Sequence, residues 1–128
     1  MRAIVLAGGK GTRLAPYTTV LPKPLMPIGE MPILEIVIRQ LQKHGFDNLT
    51  LAVGYLAELL MAYCGDGSKF GVKLDYSREE QPLGTAGPIA LVPNLNVFNF
   101  DGYWLDIGRH DDYERAIEEF AAYRADFL

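Results

Sequence analysis

Apolar positions along this chain recur at two spacings, one suited to strands and one to helices. The run Ala3-Ile4-Val5-Leu6 predicts a buried first strand over residues 2–7. Leu34, Val37, Ile38 and Leu41 form a stripe at helical spacing, which predicts a helix from Pro32 to His44. Pro32 sits near its start and Gly45 just past its end, the usual asymmetry of helix termini. Leu49-Thr-Leu-Ala-Val53 reads as a second strand, and Val72-Lys-Leu-Asp-Tyr76 alternates as a third. Between them, Leu56, Leu59, Leu60 and Tyr63 predict a short helix over Leu56–Cys64, stopped by Gly65. A further short helix is expected over roughly Thr85–Val92, stopped by Pro93. The final helix is expected over about Asp112–Ala125, with Asp111-x-x-Glu114 as a capping box and Tyr113, Ala116, Ile117 and Phe120 facing inward. This order of strand, loop, helix, strand, helix, strand implies a parallel, doubly wound sheet with helices on both faces.

Two stretches do not follow either spacing. Residues 8–29 form a long loop stiffened by Pro16, Pro22, Pro24 and Pro27, and such a loop in a small domain is more often functional than idle. Asn96-Val-Phe-Asn-Phe-Asp101 and Tyr103-Trp-Leu-Asp-Ile107 both look like strands, but Gly102 alone separates them. A parallel crossover needs about a dozen residues, so they are not successive parallel strands.

The long loop holds the strongest chemical signal. In Leu6-Ala-Gly-Gly-Lys-Gly-Thr-Arg13, Gly8, Gly9 and Gly11 can take positive φ and admit a ligand close to the backbone. Successive N–H groups in such a turn form an anion-binding nest. Arg13 adds a planar fork that suits phosphate oxygens. Lys10 lies within the turn, and Lys23 follows between Pro22 and Pro24, where the proline after it biases it toward an extended backbone. Two common phosphate motifs are excluded. Gly11 separates Lys10 from Thr12, which breaks a Walker A loop, and Leu14 stands where a dinucleotide fingerprint needs its last glycine. A plain strand-to-loop turn would explain the glycines alone, but not three cations gathered around them. Gln81, ahead of the Gly84 turn, offers both a donor and an acceptor and so suits a nucleobase edge, although a capped turn explains that segment equally well.

Composition narrows the setting. The chain has 128 residues, enough for one compact domain, with an ordinary globular balance of apolar and charged residues. Its net charge of −4 argues against general nucleic-acid binding, and cations gathered on an acidic background favour a small anionic ligand. Cys64 is the sole cysteine, which precludes an intramolecular disulfide, and it reads as a small buried hydrophobe. No apolar run approaches a membrane span of about 18 residues, and the N-terminus opens directly into a strand. A cytoplasmic enzyme with no membrane contact is the simplest expectation.

Taken together, these motifs resemble the sugar-phosphate nucleotidyltransferases, also called nucleotide-sugar pyrophosphorylases. The opening motif Leu6–Leu14, followed by Pro22-Lys-Pro-Leu-Met-Pro-Ile28, looks like the family signature. Leu83-Gly-Thr-Ala-Gly87 looks like its base-binding segment, and Gly102-Tyr-Trp-Leu-Asp-Ile-Gly108 like its later metal motif. The mannose- or heptose-1-phosphate guanylyltransferase-like group is the nearest in flavour. The resemblance implies a Rossmann-like three-layer α/β/α fold with a mostly parallel sheet, a shortened version of the nucleotide-diphospho-sugar transferase fold. It implies a single shortened domain over 1–128, with a nucleotide-binding part at 1–95 and a metal-motif strand and helix at 96–128.

The implied reaction joins an NTP to a sugar 1-phosphate and releases pyrophosphate, with Mg²⁺ as cofactor. By resemblance, Leu6, Ala7, Gly8 and Gly9 line the nucleoside, and Gly11, Thr12 and Arg13 hold the triphosphate. Lys23 binds phosphate near the reacting centre, so Arg13 and Lys23 are the expected catalytic pair. Gln81, Gly84 and Thr85 read the base, and Asp106 is one Mg²⁺ ligand. The family's catalytic domain is considerably longer. Its middle, which carries the sugar pocket and a strand ending in Asn-Gly-Asp, has no counterpart here. Asp101 is either a stand-in for that second metal aspartate or simply part of the motif that follows it. Loss of central strands should expose an edge or an apolar face, so a homodimer is expected.

Overall fold

The computed structural model describes residues 1–80, 84, 87–90 and 105–128. Its centre is a sheet of three parallel strands, β1 (Arg2–Ala7), β4 (Asn48–Val53) and β5 (Lys73–Arg78), in the order β1-β4-β5. A two-stranded antiparallel hairpin, β2 (Pro27–Ile28) and β3 (Met31–Pro32), lies apart from it. The strand registers are continuous: Arg2 lies opposite Asn48 and Ala7 opposite Val53, and Asn48 in turn lies opposite Lys73.

Two helices make the crossovers, α1 (Ile33–Lys43) between β1 and β4, and α2 (Ala57–Cys64) between β4 and β5. Both crossovers step the same way along the sheet, so connections of the usual hand place both helices on one face. One core results. Leu34 and Ile38 of α1 and Ala57, Leu60 and Cys64 of α2 pack on Leu49, Leu51, Val53, Ala7 and Leu74. Burying one such leucine stabilises by about 1.5–3 kcal/mol, which is what holds each helix down. Thr50 and Ala52 alternate toward the opposite face and are buried as well. A strand covered on both sides explains why Leu49–Val53 reads as a continuous apolar run.

The end of α1 shows how sequence dictates local shape. Gly45 takes φ +84°, its amide donates to the Gln42 carbonyl, and Phe46 N donates to Leu41 O at 2.9 Å. This reversed stop turns the chain back into β4 and buries Phe46.

Two helices differ from the sequence expectation. Leu56 is not in α2. It takes a left-handed backbone (φ +53°) just before the helix, whose buried face becomes Ala57, Leu60 and Cys64, and Leu59 points to solvent. The last helix, α4 (His110–Phe127), starts earlier than expected. The cap is Asp112, whose carboxylate accepts the amides of Arg109 (2.9 Å) and Gly108 (3.2 Å), rather than the Asp111/Glu114 pair. Ala116 and Phe120 are buried and Tyr113 packs beside them, but Ile117 is 37% exposed. The reason is what α4 faces: its inner stripe rests on Ile28 and Met31 of the hairpin, a narrower surface than a sheet. A four-residue helix, α3 (Gly87–Ala90), occupies part of the expected Thr85–Val92 span. The rest of that span, and the strand-like stretches 96–101 and 103–104, lie outside the described residues.

Candidate nucleotide site

The glycine loop begins where β1 ends, and the ends of all three parallel strands meet there. Tyr55 N, just past β4, donates to Gly8 O at 3.2 Å, and Glu79 N, just past β5, donates to Val53 O at 2.9 Å. Gly8 and Gly54 are pressed together. A side chain on Gly54 would sit 3.1 Å from Gly8 O, and one on Gly8 would sit 3.0 Å from Glu79 Oε1. Ligand clefts in parallel α/β sheets open at this end of the strands.

From Gly8 the loop leaves the sheet, and its next turns are set by hydrogen bonds. Gly11 takes φ +60° and opens a 3-10 turn over Thr12–Leu14, closed by Leu14 N to Gly11 O at 2.9 Å. Thr18 Oγ1 donates to the same Gly11 carbonyl at 2.8 Å. Tyr55 reaches across to donate its hydroxyl to the carbonyls of Thr18 (3.1 Å) and Thr19 (3.0 Å). Leu14 is fully buried and anchors the turn, while Thr12 and Arg13 just before it are exposed. Among the described residues, the amides of Gly9, Lys10 and Gly11 donate to no backbone carbonyl. They are the donors that an anion-binding nest requires.

Lys23 stands against this loop. The position of a Gly11 side chain would be 3.0 Å from Lys23 Cβ. Lys23 is not extended, however. It opens a 3-10 turn over Lys23–Leu25, with Leu25 N donating to Pro22 O (2.8 Å) and Met26 N to Lys23 O (3.0 Å). This turn draws its donors from Leu25 and Met26, so the missing N–H of Pro24 costs it nothing, and the closed turn overrides the bias of a residue preceding proline. Lys10, Arg13 and Lys23 make no ion pair among the described residues.

The segment after Leu105 returns to the same place. A side chain on Gly108 would meet Arg13 Nη1 at 3.7 Å, Asp106 Oδ2 at 3.7 Å and Asp112 Oδ2 at 3.6 Å. The fold thus gathers the Arg13 guanidinium and the Asp106 carboxylate around one buried glycine, Gly108, 95 residues after Arg13 in the chain. Asp106 is exposed, and Asp112 is engaged by the two amides it caps. Among the described residues no three metal-binding side chains converge. One exposed carboxylate, Asp106, still fits a magnesium ion, which keeps several waters and takes one or two carboxylates together with substrate phosphates.

Of the remaining expected residues, Ala7 is buried at the end of β1, Leu6 is 43% exposed, Gly8 is half-buried and Gly9 is open. Gly84 is exposed, with φ +71°. Gln81, Thr85 and Asp101 lie outside the described residues. Sequence reasoning gave no role to Gly54, Thr18, Tyr55 or Glu79, and quoted Gly108 only as the end of the metal motif. Gly54 carried a signal, a glycine directly after an apolar strand, which often marks close backbone approach.

Known proteins share this chain's sequence pattern and fold. Residues 2–97 match the family model described as nucleotidyl transferase. The chain is 38% identical over 112 residues to a UTP–glucose-1-phosphate uridylyltransferase of Synechocystis, covering 80% of this chain and 29% of that protein. It is 44% identical over 89 residues to a D-glycero-alpha-D-manno-heptose 1-phosphate guanylyltransferase of Campylobacter jejuni, covering 70% of this chain and 40% of that one. Among solved structures, HddC from Yersinia pseudotuberculosis complexed with GMP-PN superposes with a TM-score of 0.61 at 32% identity, over 69% of this chain and 39% of that one. The chain therefore spans less than half the length of these relatives. A match over residues 2–97, on a parallel α/β sheet whose strand ends carry the glycine loop, shows that this chain belongs to the nucleotidyl transferase family.

Proposed function

We propose that this chain carries the nucleotide-binding part of a sugar-1-phosphate nucleotidyltransferase, which joins an NTP to a sugar 1-phosphate to give an NDP-sugar and pyrophosphate. The observation that carries the reading is the convergence of Arg13, Lys23 and Asp106 on a glycine loop at the carboxyl ends of parallel strands. In the reaction, a phosphate oxygen of the sugar 1-phosphate bonds to the α-phosphorus while the α–β bridging bond breaks and pyrophosphate leaves. Such transfer depends on positioning and electrostatics more than on a covalent protein group. The amides of Gly9–Gly11 would hold β- and γ-oxygens, with the Arg13 fork completing the clamp. Lys23, on its closed turn, would balance charge near the α-phosphate. Asp106 would hold Mg²⁺, which supplies charge screening of the triphosphate when bound.

The test is isothermal titration with MgATP, MgGTP, MgUTP, MgCTP and MgdTTP, followed by a pyrophosphate-release assay across sugar 1-phosphates. Release that disappears in Asp106→Ala and Arg13→Ala is the expected result. The share of the relatives' length that this chain spans supports a second reading, a nucleotide-binding module without turnover. That reading expects binding to survive Asp106→Ala, to weaken in Arg13→Ala, and to yield no pyrophosphate with any pair.

We also propose a homodimer. Among the described residues β1 is a sheet edge, and Leu6 at its end is solvent-exposed. Light scattering at high concentration checks this, and a mass that stays at one chain contradicts it.

A further inference from the structure

The helix α4 runs along the functional loop and the hairpin that follows it. His110 Nε2 lies 2.9 Å from the Ala15 carbonyl, and Tyr113 donates its hydroxyl to the Pro27 carbonyl. Phe120 packs on Gly29, and Arg124 pairs with Glu30. His110, Tyr113 and Phe120 share one helix face, and Arg124 follows the kink at Tyr123. Tyr113, Phe120 and Arg124 hold the hairpin end of the loop. His110 reaches toward the phosphate end, with its ring beside Tyr17 (5.7 Å between centroids), which the Tyr113 ring also flanks at 6.4 Å. A carbonyl oxygen can only accept, so Nε2 carries the proton in this contact.

Ala15 closes the Thr12–Leu14 turn, its amide donating to Thr12 O at 3.2 Å. The same residue therefore ends the turn that presents Arg13 and receives His110. On the other side, His110 is the first residue of α4, directly after the Asp106–Arg109 segment. We propose that His110 is a positioning residue for the triphosphate clamp: its bond to Ala15 fastens the Arg13 turn to the segment bearing Asp106. The proximity of Arg13 Nη1 and Asp106 Oδ2 to Gly108 is the geometry that this fastening preserves. The role rests on the nucleotide reading above, but the fastening itself is measurable without any nucleotide.

Three variants separate the bond from the ring. His110→Phe keeps an aromatic beside Tyr17 and removes the donor, His110→Gln keeps a side-chain N–H, and His110→Ala removes both. His110 is exposed, so all three should fold, and unchanged amide exchange in β4 verifies this. In the ligand-free chain, amide exchange at Leu14 and Ala15 should accelerate in Phe and Ala and return toward wild type in Gln. Affinity for a Mg-bound nucleoside triphosphate should fall about three- to tenfold in Phe and Ala, the size expected for one net hydrogen bond. Affinity for the matching monophosphate, which lacks the β- and γ-phosphates assigned above to the Arg13 clamp, should stay within about twofold, and Gln should restore the triphosphate value. Unchanged exchange at Leu14 and Ala15 in His110→Phe overturns the proposal, as does an equal loss for both nucleotides. A wild-type chain that binds no nucleotide sinks the functional reading, while the exchange comparison still decides whether His110 fastens the turn.

Discussion

Gly11 is the residue on which the loop's shape turns. Its left-handed backbone is a conformation that costs an ordinary residue about 1–2 kcal/mol, and its missing side chain makes room for Lys23 and Thr18. Gly11→Ala should therefore lower stability by about 1–2 kcal/mol in denaturant unfolding and weaken triphosphate binding with it. Gly9→Ala is the control: nothing lies within 4 Å of the place its side chain would take, so its stability should barely change. The need for glycine in this turn was legible only in part: of the three glycines expected to take positive φ, Gly11 alone does, Gly8 is required for its close approach to Gly54 and Glu79, and Gly9 shows neither need. The identity of what presses on each glycine was not legible. Glu79 against Gly8 and Arg13 beside Gly108 join residues far apart in the chain, and only the strand register and the return of the last segment bring them together.

At the level of elements, regular spacing carried most of the information. The three strands and α1 lie within a residue or two of where their apolar patterns place them, and Gly45 ends α1 as expected. Errors fell at helix starts, where a single side chain decides. Leu56 leaves the α2 pattern by adopting a left-handed backbone, and Asp112 caps α4 ahead of the pair the sequence suggested. Nor does spacing reveal what ties α1 to α2, a buried polar contact in which the Tyr63 hydroxyl donates to Glu35 and Arg39 pairs with the same carboxylate at 2.7 Å. Burial works against the charge on Glu35, but the Tyr63 and Arg39 contacts outweigh it and hold its carboxyl below the usual range. Burial, reinforced by the hydrogen bond to Glu35, pushes the Tyr63 hydroxyl up to about 12.

The two shifts set opposite limits on stability. A lowered carboxyl contributes stability above its unfolded value, near 4.5, and loses it as pH falls through the folded value. A raised phenol contributes fully below 10.0 and loses its contribution as pH rises toward 12. Melting temperature measured against pH should thus fall on both flanks. In Tyr63→Phe the alkaline fall should shrink. The acid fall should begin at higher pH, because Glu35 loses its donor and keeps its burial. An acid flank that does not move in Tyr63→Phe would mean that the hydroxyl does not support the Glu35 charge.

For the molecule as a whole, the candidate site lies at the carboxyl ends of the parallel strands. The crossover helices and their core lie behind the sheet, and the loop, its Lys23 turn and the Asp106 segment meet at the strand ends. The membership in the nucleotidyl transferase family was legible from the opening motif, since a glycine loop followed by a proline-framed lysine has few other uses. What that membership implies for a chain spanning 29% to 40% of its relatives is set by how much of the site this part holds alone. The central claim is that backbone amides of residues 9–11, with Arg13, cradle a polyphosphate. Its most direct test is a backbone-amide NMR titration of the chain with a Mg-bound nucleoside triphosphate. The account predicts that Gly9, Lys10, Gly11 and Arg13 show the largest saturable shifts, lost in Arg13→Ala; saturable binding that leaves those four amides unmoved would contradict it.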